Sequence, residues 1–317
     1  MMMAEPLHRS AVRGAIVENE PMARHVTWRA GGAARYAFHP ADRADLLEFF
    51  RTHQELLARC PPLFVGLGSN LLVRDGGVAA TAIFPHPGLQ AMQIVESGAE
   101  WVTIAAEAGV AAPKLARFAA THDLEGAEFL AGVPGTIGGA LTMNAGCYGG
   151  ETWEHVIGTE LVDPSGAVTA RATNDFDVGY RHVAAKFATL GSSAWFVSGR
   201  FHFRRGDGQR AREKIRELLS RRVASQPLQL PNAGSVYRNP AGHHAARLIE
   251  ACGLKGFAIG GAEVSQKHAN FIVNPHGGGN ASDIEQLIHH VRAVVAERTG
   301  VSLEPEVRIV GESVNHE

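Results

Sequence analysis

The chain has 317 residues, 45% of them hydrophobic, enough for two or three compact domains with their own cores. Its 30 basic and 32 acidic residues leave a formal net charge of −2, which excludes a general nucleic-acid binder. No apolar run approaches the roughly 18 residues of a membrane span, and MMMAEPLHRS at the start lacks an apolar signal core, so the expectation is a cytoplasmic protein. Cys60, Cys147 and Cys252 lie far apart with no CxxC pair and read as reduced thiols. The histidines show no ligand spacing, so no metal is expected.

In chain order, residues 1–23 read as a loose lead-in with one short helix, and 1–30 as a segment ahead of the first domain. Thr27-Trp28-Arg29-Ala30-Gly31-Gly32 enters that domain. Pro40 and Asp42 introduce a helix carrying Leu46, Leu47, Phe49 and Phe50 to about Leu57. Leu63-Phe64-Val65 and Leu71-Leu72-Val73 read as short buried strands on either side of Gly66-Leu67-Gly68-Ser69-Asn70, which places that turn at a sheet edge. Val78 to Phe84 and Trp101 to Ala106 are further strands, and Ala112-Pro113 opens a helix to about His122. Val156–Val162 and Ala167–Thr169 form a hairpin around Asp163-Pro164-Ser165-Gly166, and Trp195–Phe203 closes the first domain, 31–204.

Gly206-Asp207-Gly208 links to a second domain, 205–317. It opens on an arginine-rich helix, Gln209 to Ser225, whose charges read as a solvated face. A helix from His243 to Cys252 follows, and the pairs His243-His244 and His289-His290 are expected on helix surfaces. Ala258–Val264 and Ala269–Asn274 are strand-like. Ser282 and Glu285 match a capping box for a helix to Arg298, and Leu303–Val310 is a final strand.

The stretch Ala131–Gly150, AGVPGTIGGALTMNAGCYGG, holds seven glycines in twenty residues. Such density suits a loop of free backbone N–H groups that cradles a phosphate; a buried turn is the plain alternative. No G-x-x-x-x-G-K-[ST] occurs. Gly66-Leu67-Gly68-Ser69-Asn70-Leu71 has leucine where a dinucleotide fingerprint needs its third glycine, and no helix follows it. Two separate glycine loops around one nucleotide cofactor, outside the Rossmann scheme, fit better.

Three places combine polar groups with tight local geometry. Arg181 in Gly179-Tyr180-Arg181 could clamp an oxyanion or form a surface ion pair. Ser235 follows glycine within Pro231 to Pro240; with no G-x-S-x-G elbow it reads as a proton donor or hydrogen-bonding group, or as part of a plain turn. Glu304-Pro305-Glu306-Val307-Arg308 puts Glu304, Glu306 and Arg308 on one strand face, either solvent-exposed or aimed at a cleft.

These blocks, with Gly253-Leu254-Lys255-Gly256 and Lys267-His268-Ala269-Asn270-Phe271, run in one order over about residues 27 to 311, and in that order the chain resembles the UDP-N-acetylenolpyruvoylglucosamine reductase (MurB) family. It is similar to the shorter class, which lacks a tyrosine-bearing insertion. Family members usually continue after Tyr-Arg with Asp or His and then Ser; here the sequence is His182-Val183-Ala184-Ala185-Lys186.

The resemblance implies an α+β protein. An FAD-binding domain of the vanillyl-alcohol-oxidase (PCMH) type, in two α/β subdomains, precedes a C-terminal α/β substrate-binding domain. It implies non-covalent FAD held by Gly66, Gly68, Ser69, Asn70 and Leu71 from the first loop. The second loop adds Gly132, Pro134, Gly135, Thr136, Gly138, Gly139, Asn144, Gly146 and Gly150, and Arg308 joins them. The family's catalytic positions fall on Arg181, Ser235 and Glu306. Asn232, Arg238, Lys255, Lys267 and His268 are the implied substrate-binding residues, and Arg222 is a further candidate for the phosphates. The implied reaction reduces UDP-N-acetyl-3-O-(1-carboxyvinyl)-glucosamine with NADPH, in a cytoplasmic monomer making a peptidoglycan precursor. Two rivals stand beside it: an FAD oxidase with histidine-tethered flavin, which the C-terminal blocks argue against, and a non-enzymatic nucleotide-sugar binder.

Overall fold

The computed structural model describes residues 12–314; the start of the expected lead-in, 1–11, and the last three residues lie outside the described residues. The expected α+β mixture is present as three sheet-based units. The rest of the lead-in is not loose. Ala15–Pro21 is a strand paired antiparallel with Ala33–His39, and the only helical turn is the 3-10 turn Met22–Arg24. The first sheet continues from Ala33–His39 through Val78–Ile83 to Pro62–Phe64, both pairings parallel. Against it packs Arg43–Thr52, started by Asp42, whose side chain accepts from Asp45 N at 2.9 Å. Leu46, Phe49 and Phe50 recur at helical spacing and are fully buried beside Phe38 and Ile83. The chain breaks at His53 and resumes as Gln54–Arg59, so the single expected helix is two.

The second sheet is antiparallel, in the order Val168–Arg171, Val156–Val162, Trp195–Arg205, Trp101–Glu107, Met92–Ser97. The expected hairpin and the expected long strand are both found here. Helices Ala112–Thr121 and Ile137–Met143 cover this sheet, and Gly208–Ser225 packs against the first of them.

The C-terminal unit is a three-stranded sheet, Ala258–Ile259, Ala262–Val264 and Ile272–Val273, with helices Ala245–Ala251 and Ala281–Thr299. Its core runs along Ile284, Leu287, Ile288, Val291 and Val295, each contributing about 1.5–3 kcal/mol on burial. Trp28, expected to enter the first domain, is instead buried in this core and donates from Nε1 to Ile272 O at 2.8 Å.

The expected capping box of Ser282 and Glu285 does not form. The helix begins earlier: Asn280 Oδ1 accepts from Asp283 N at 2.8 Å and Asp283 Oδ2 from Asn280 N at 3.3 Å. Glu285 pairs with Arg74 at 2.7 Å. The orphan N–H groups of Ala281 and Ser282 donate to Asp75 at 2.9 and 2.8 Å, so a carboxylate from the first half of the chain caps a helix of the second. The final strand is also shorter than expected: only Arg308–Val310 forms a ladder, parallel with Leu71–Val73. Asp75→Ala removes both cap bonds; the expected cost is about 1–2 kcal/mol, seen as a fall of roughly 2–4 °C in thermal melting with the far-ultraviolet spectrum at 25 °C unchanged.

Candidate active site

Two adjoining clefts meet at Ser69, Asn70, Gly135 and Gly139. The first is walled by Gly66, Gly68 and Leu71 from one glycine loop, Thr136 and Gly138 from the other, and Arg308. Gly68 sits at φ +62°, and a Cβ there would meet His25 O at 2.0 Å, so only glycine permits the turn. Thr27 N donates to Gly68 O at 3.1 Å and fixes it from below. At Gly139 an added Cβ would find nothing closer than 3.9 Å; this backbone faces open cleft. No carboxylate lines the first cleft and Arg308 is its one cation among the described residues, a donor set that suits a pyrophosphate.

The second cleft, about 510 Å³, gathers Arg181, Ser235 and Glu306 from three distant parts of the chain. Gly132, Pro134, Gly146 and His268 also line it. Arg181 lies in the two-residue turn between Phe176–Gly179 and His182–Ala185, so the departure after Tyr180-Arg181 is accommodated as a strand. Its φ of +52° is one that L residues other than Gly, Asn and Asp seldom adopt, and side-chain contacts hold it there. Nη1 donates to Asn144 O at 3.2 Å and Nη2 to Gly146 O at 2.6 Å. Nε lies 3.0 Å from Glu306 Oε1. That N–H does not aim along the contact, so the link is a coulombic pair rather than an aligned hydrogen bond. Burial raises the Glu306 pKa above the ordinary carboxylate value, with Arg181 and Arg238 pulling against the rise.

Ser235 is seated by its neighbours. Gly234 N donates to Asn232 Oδ1 at 2.9 Å, Val236 N to Asn270 O at 2.9 Å, and Glu306 N to Val236 O at 2.7 Å. The Ser235 and Glu306 segments are therefore laced together through the backbone, and the Ser235 hydroxyl has no protein partner among the described residues.

Several expected residues lie elsewhere. Asn144 and Gly150 line neither cleft. Asn144 is the left-handed cap of Ile137–Met143. Its side chain donates to Glu151 Oε2 at 2.7 Å and Gly179 O at 3.0 Å and accepts from Trp153 N at 3.0 Å, all protein contacts. Gly150 pairs with Cys147 in the hairpin turned by Tyr148 and Gly149, both at positive φ. Asn232, Arg238, Lys255 and Lys267 are also outside the clefts. Asn232 holds Leu230 O at 2.7 Å, Lys255 pairs with Glu250 at 2.8 Å, and Lys267 Nζ donates to Val223 O at 2.6 Å. Arg308 and Glu306, expected on one strand face, line different clefts, because the ladder begins only at Arg308. Arg222, read as part of a solvated face, lines the second cleft together with Asn239, His244 and Arg247. His243-His244 precede the helix Ala245–Ala251 rather than lie on it. Sequence carried no signal for Arg247, a single basic residue on an otherwise ordinary amphipathic helix.

A family profile described as "UDP-N-acetylenolpyruvoylglucosamine reductase, C-terminal domain" matches residues 226–310, and one described as "FAD binding domain" matches residues 34–170. The fold and the amide-lined cleft thus define a flavoprotein oxidoreductase. UDP-N-acetylenolpyruvoylglucosamine reductase of Thiobacillus denitrificans is 53% identical over 311 residues, covering 95% of this chain and 94% of the relative. That of Methylococcus capsulatus is 49% identical and covers 99% of both. The crystal structure of UDP-N-acetylenolpyruvylglucosamine reductase (MurB) from Thermus caldophilus matches with a TM-score of 0.75 at 28% identity, over 94% of this chain and 99% of that one. The chain belongs to the UDP-N-acetylenolpyruvoylglucosamine reductase family.

Cys147, in the wall of the second cleft, donates from Sγ to Phe129 O at 3.0 Å. Burial pushes its pKa from the usual 9.0 to about 11, against the opposing pull of Arg222 and Arg181. Two units leave about 100-fold less thiolate below pH 9. Iodoacetamide at pH 8, followed by peptide mass spectrometry, should therefore label Cys147 roughly 100-fold more slowly than an unperturbed thiol.

Proposed function

We propose that this protein reduces the enolpyruvyl ether of UDP-N-acetylglucosamine to UDP-N-acetylmuramate, with NADPH as reductant, as a cytoplasmic monomer. The observation that carries the reading is the convergence of Arg181, Ser235 and Glu306 on one cleft beside the amide-lined one. FAD, held non-covalently in the first cleft, would supply the two-electron chemistry that links NADPH oxidation to reduction of the vinyl group of the substrate. The turn Gly66–Asn70 and the backbone N–H groups of Gly135 and Thr136 would hold its pyrophosphate, with Arg308 as counter-charge, because the N–H groups of Ile137, Gly138 and Gly139 already donate to Val110 O, Ala108 O and Thr136 Oγ1.

Addition at the CH2 carbon leaves negative charge on the neighbouring carbon and its carboxylate. Arg181 stabilises that charge, already oriented by two carbonyls and Glu306. Glu306, kept protonated to a higher pH than an ordinary carboxyl, donates a hydrogen bond to the same group. Ser235 delivers the proton that completes the second carbon. A placed proton donor contributes about 10²- to 10⁴-fold. The carboxyl is neutral below its raised pKa and loses its proton as pH climbs through it. The slow step in wild-type protein should therefore weaken on the alkaline side, and Glu306→Gln should flatten that limb in a pH–rate profile.

Ser235→Ala separates the two halves of the cycle. In stopped-flow, flavin bleaching by NADPH should keep its wild-type rate, while reoxidation by the enolpyruvyl sugar nucleotide slows by about 10²-fold or more. Equal loss in both halves removes Ser235 from the proton-transfer role.

A further inference from the structure

Since no protein group among the described residues engages the Ser235 hydroxyl, its place is set by the backbone on either side. On the N-terminal side Ser235 follows Gly234, whose φ is +76° and around which a Cβ would meet nothing within 4 Å, so this side is an open turn. The two residues that follow are the anchor. Val236 is fully buried and Tyr237 is 2% exposed, with its hydroxyl donating to Ile288 O in the C-terminal core.

This anchor is held from both flanks. On one, Glu306 N donates to Val236 O at 2.7 Å and Arg238 N to Glu304 O at 2.9 Å. On the other, a single residue, Asn270, supplies the bonds. Its backbone carbonyl accepts from Val236 N at 2.9 Å, its Oδ1 accepts from Tyr237 N at 3.0 Å, and its Nδ2 donates to Tyr237 O at 2.9 Å. A planar carboxamide carries an acceptor and a donor side by side, so this side chain pairs with Tyr237 as a neighbouring strand residue would. Aspartate of the same length lacks the donor, and leucine lacks both groups.

Asn270 is 4% exposed and belongs to the wall of the second cleft, yet both polar atoms of its side chain are engaged by the Tyr237 backbone. It is itself fixed by its neighbours. Phe271 N donates to His268 O at 3.0 Å and Ser265 N to Phe271 O at 2.8 Å. Its path to the chemistry therefore runs through the segment that carries Ser235.

We propose that Asn270 is a positioning residue: by clamping both polar groups of the Tyr237 backbone, it holds the Ser235 hydroxyl at the point where the proton is delivered. The proposal rests on the donor role given to Ser235 above.

The test is stopped-flow on the FAD-loaded protein, with Asn270→Ala, which removes both side-chain bonds, and Asn270→Asp, which keeps the acceptor and loses the donor. Both should retain bound flavin and its reduction by NADPH at the wild-type rate. Reoxidation by the enolpyruvyl sugar nucleotide should slow by about 10- to 100-fold, the scale of a small misplacement of a reacting group, with KM for the sugar nucleotide little changed. Placed in Ser235→Ala, Asn270→Ala should slow reoxidation no further, because the group it positions is already gone. Losses that multiply in the double variant, equal slowing of both half-reactions, or wild-type reoxidation in the Asn270 variants beside a slow Ser235→Ala overturns the positioning role and leaves Ser235 as donor. Two Asn270 variants that cannot retain flavin mark the residue as structural and overturn the role too. A Ser235→Ala variant reoxidised at the wild-type rate overturns the donor reading and this role with it.

Discussion

The parallel ladder between Leu71–Val73 and Arg308–Val310 is the constraint on which both clefts depend. Three residues on each side suffice because flanking bonds extend it. Arg308 N donates to Asn70 O at 3.0 Å, and Asn70 Nδ2 donates to Glu306 O at 3.1 Å. The turn that lines the first cleft is thereby fixed to the segment that carries Glu306. A slip of one residue would turn Arg308 to the opposite face and empty the first cleft of its charge.

A second fixed point is Asn144. Its left-handed backbone ends Ile137–Met143, its side chain ties Gly179 and Trp153 together, and its carbonyl receives Arg181. Arg181 sits in a turn position that glycine or asparagine would fill at less cost, so its conformation depends on these contacts. The arrangement gives a guanidinium whose direction is set before any substrate arrives. Preorganisation of this kind is where an enzyme concentrates its electrostatic effect.

Much of the fold was legible because it rests on short-range chemistry. Asp42 capping a helix, the Asp163–Gly166 turn and Pro113 in a first helical turn are local signals, and all three appear in the structure. The strand Ala15–Pro21 was not legible: its polar Glu18, Asn19 and Glu20 break the alternation, and its pairing with Ala33–His39 is a tertiary choice. Ser282 and Glu285 fit a capping pattern, yet Asp75 and Arg74, some two hundred residues away, claim those groups. Arg181, Ser235 and Glu306, singled out by ordered sequence blocks, line one cleft. Those blocks could not show that Lys255 is taken by Glu250 and Lys267 by Val223 O, or that Arg222 and Arg247 lack acidic partners among the described residues, because spacing carries no information about which neighbour takes a charge.

The same ladder has a consequence for how the chain comes into being. Asn70 and Glu306 are 236 residues apart, and Trp28 finds Ile272 only 244 residues later. At about 5–20 residues per second a ribosome takes roughly 10–50 s to make that interval. Throughout it the first glycine turn lacks its C-terminal partner strand, and Trp28 lacks the core it enters. Contacts this remote are slow to form. Completion of the first cleft therefore waits until Arg308 has emerged, and a nascent chain cut short of it lacks both the Asn70–Glu306 bond and the Arg308–Asn70 bond that brace the first glycine turn.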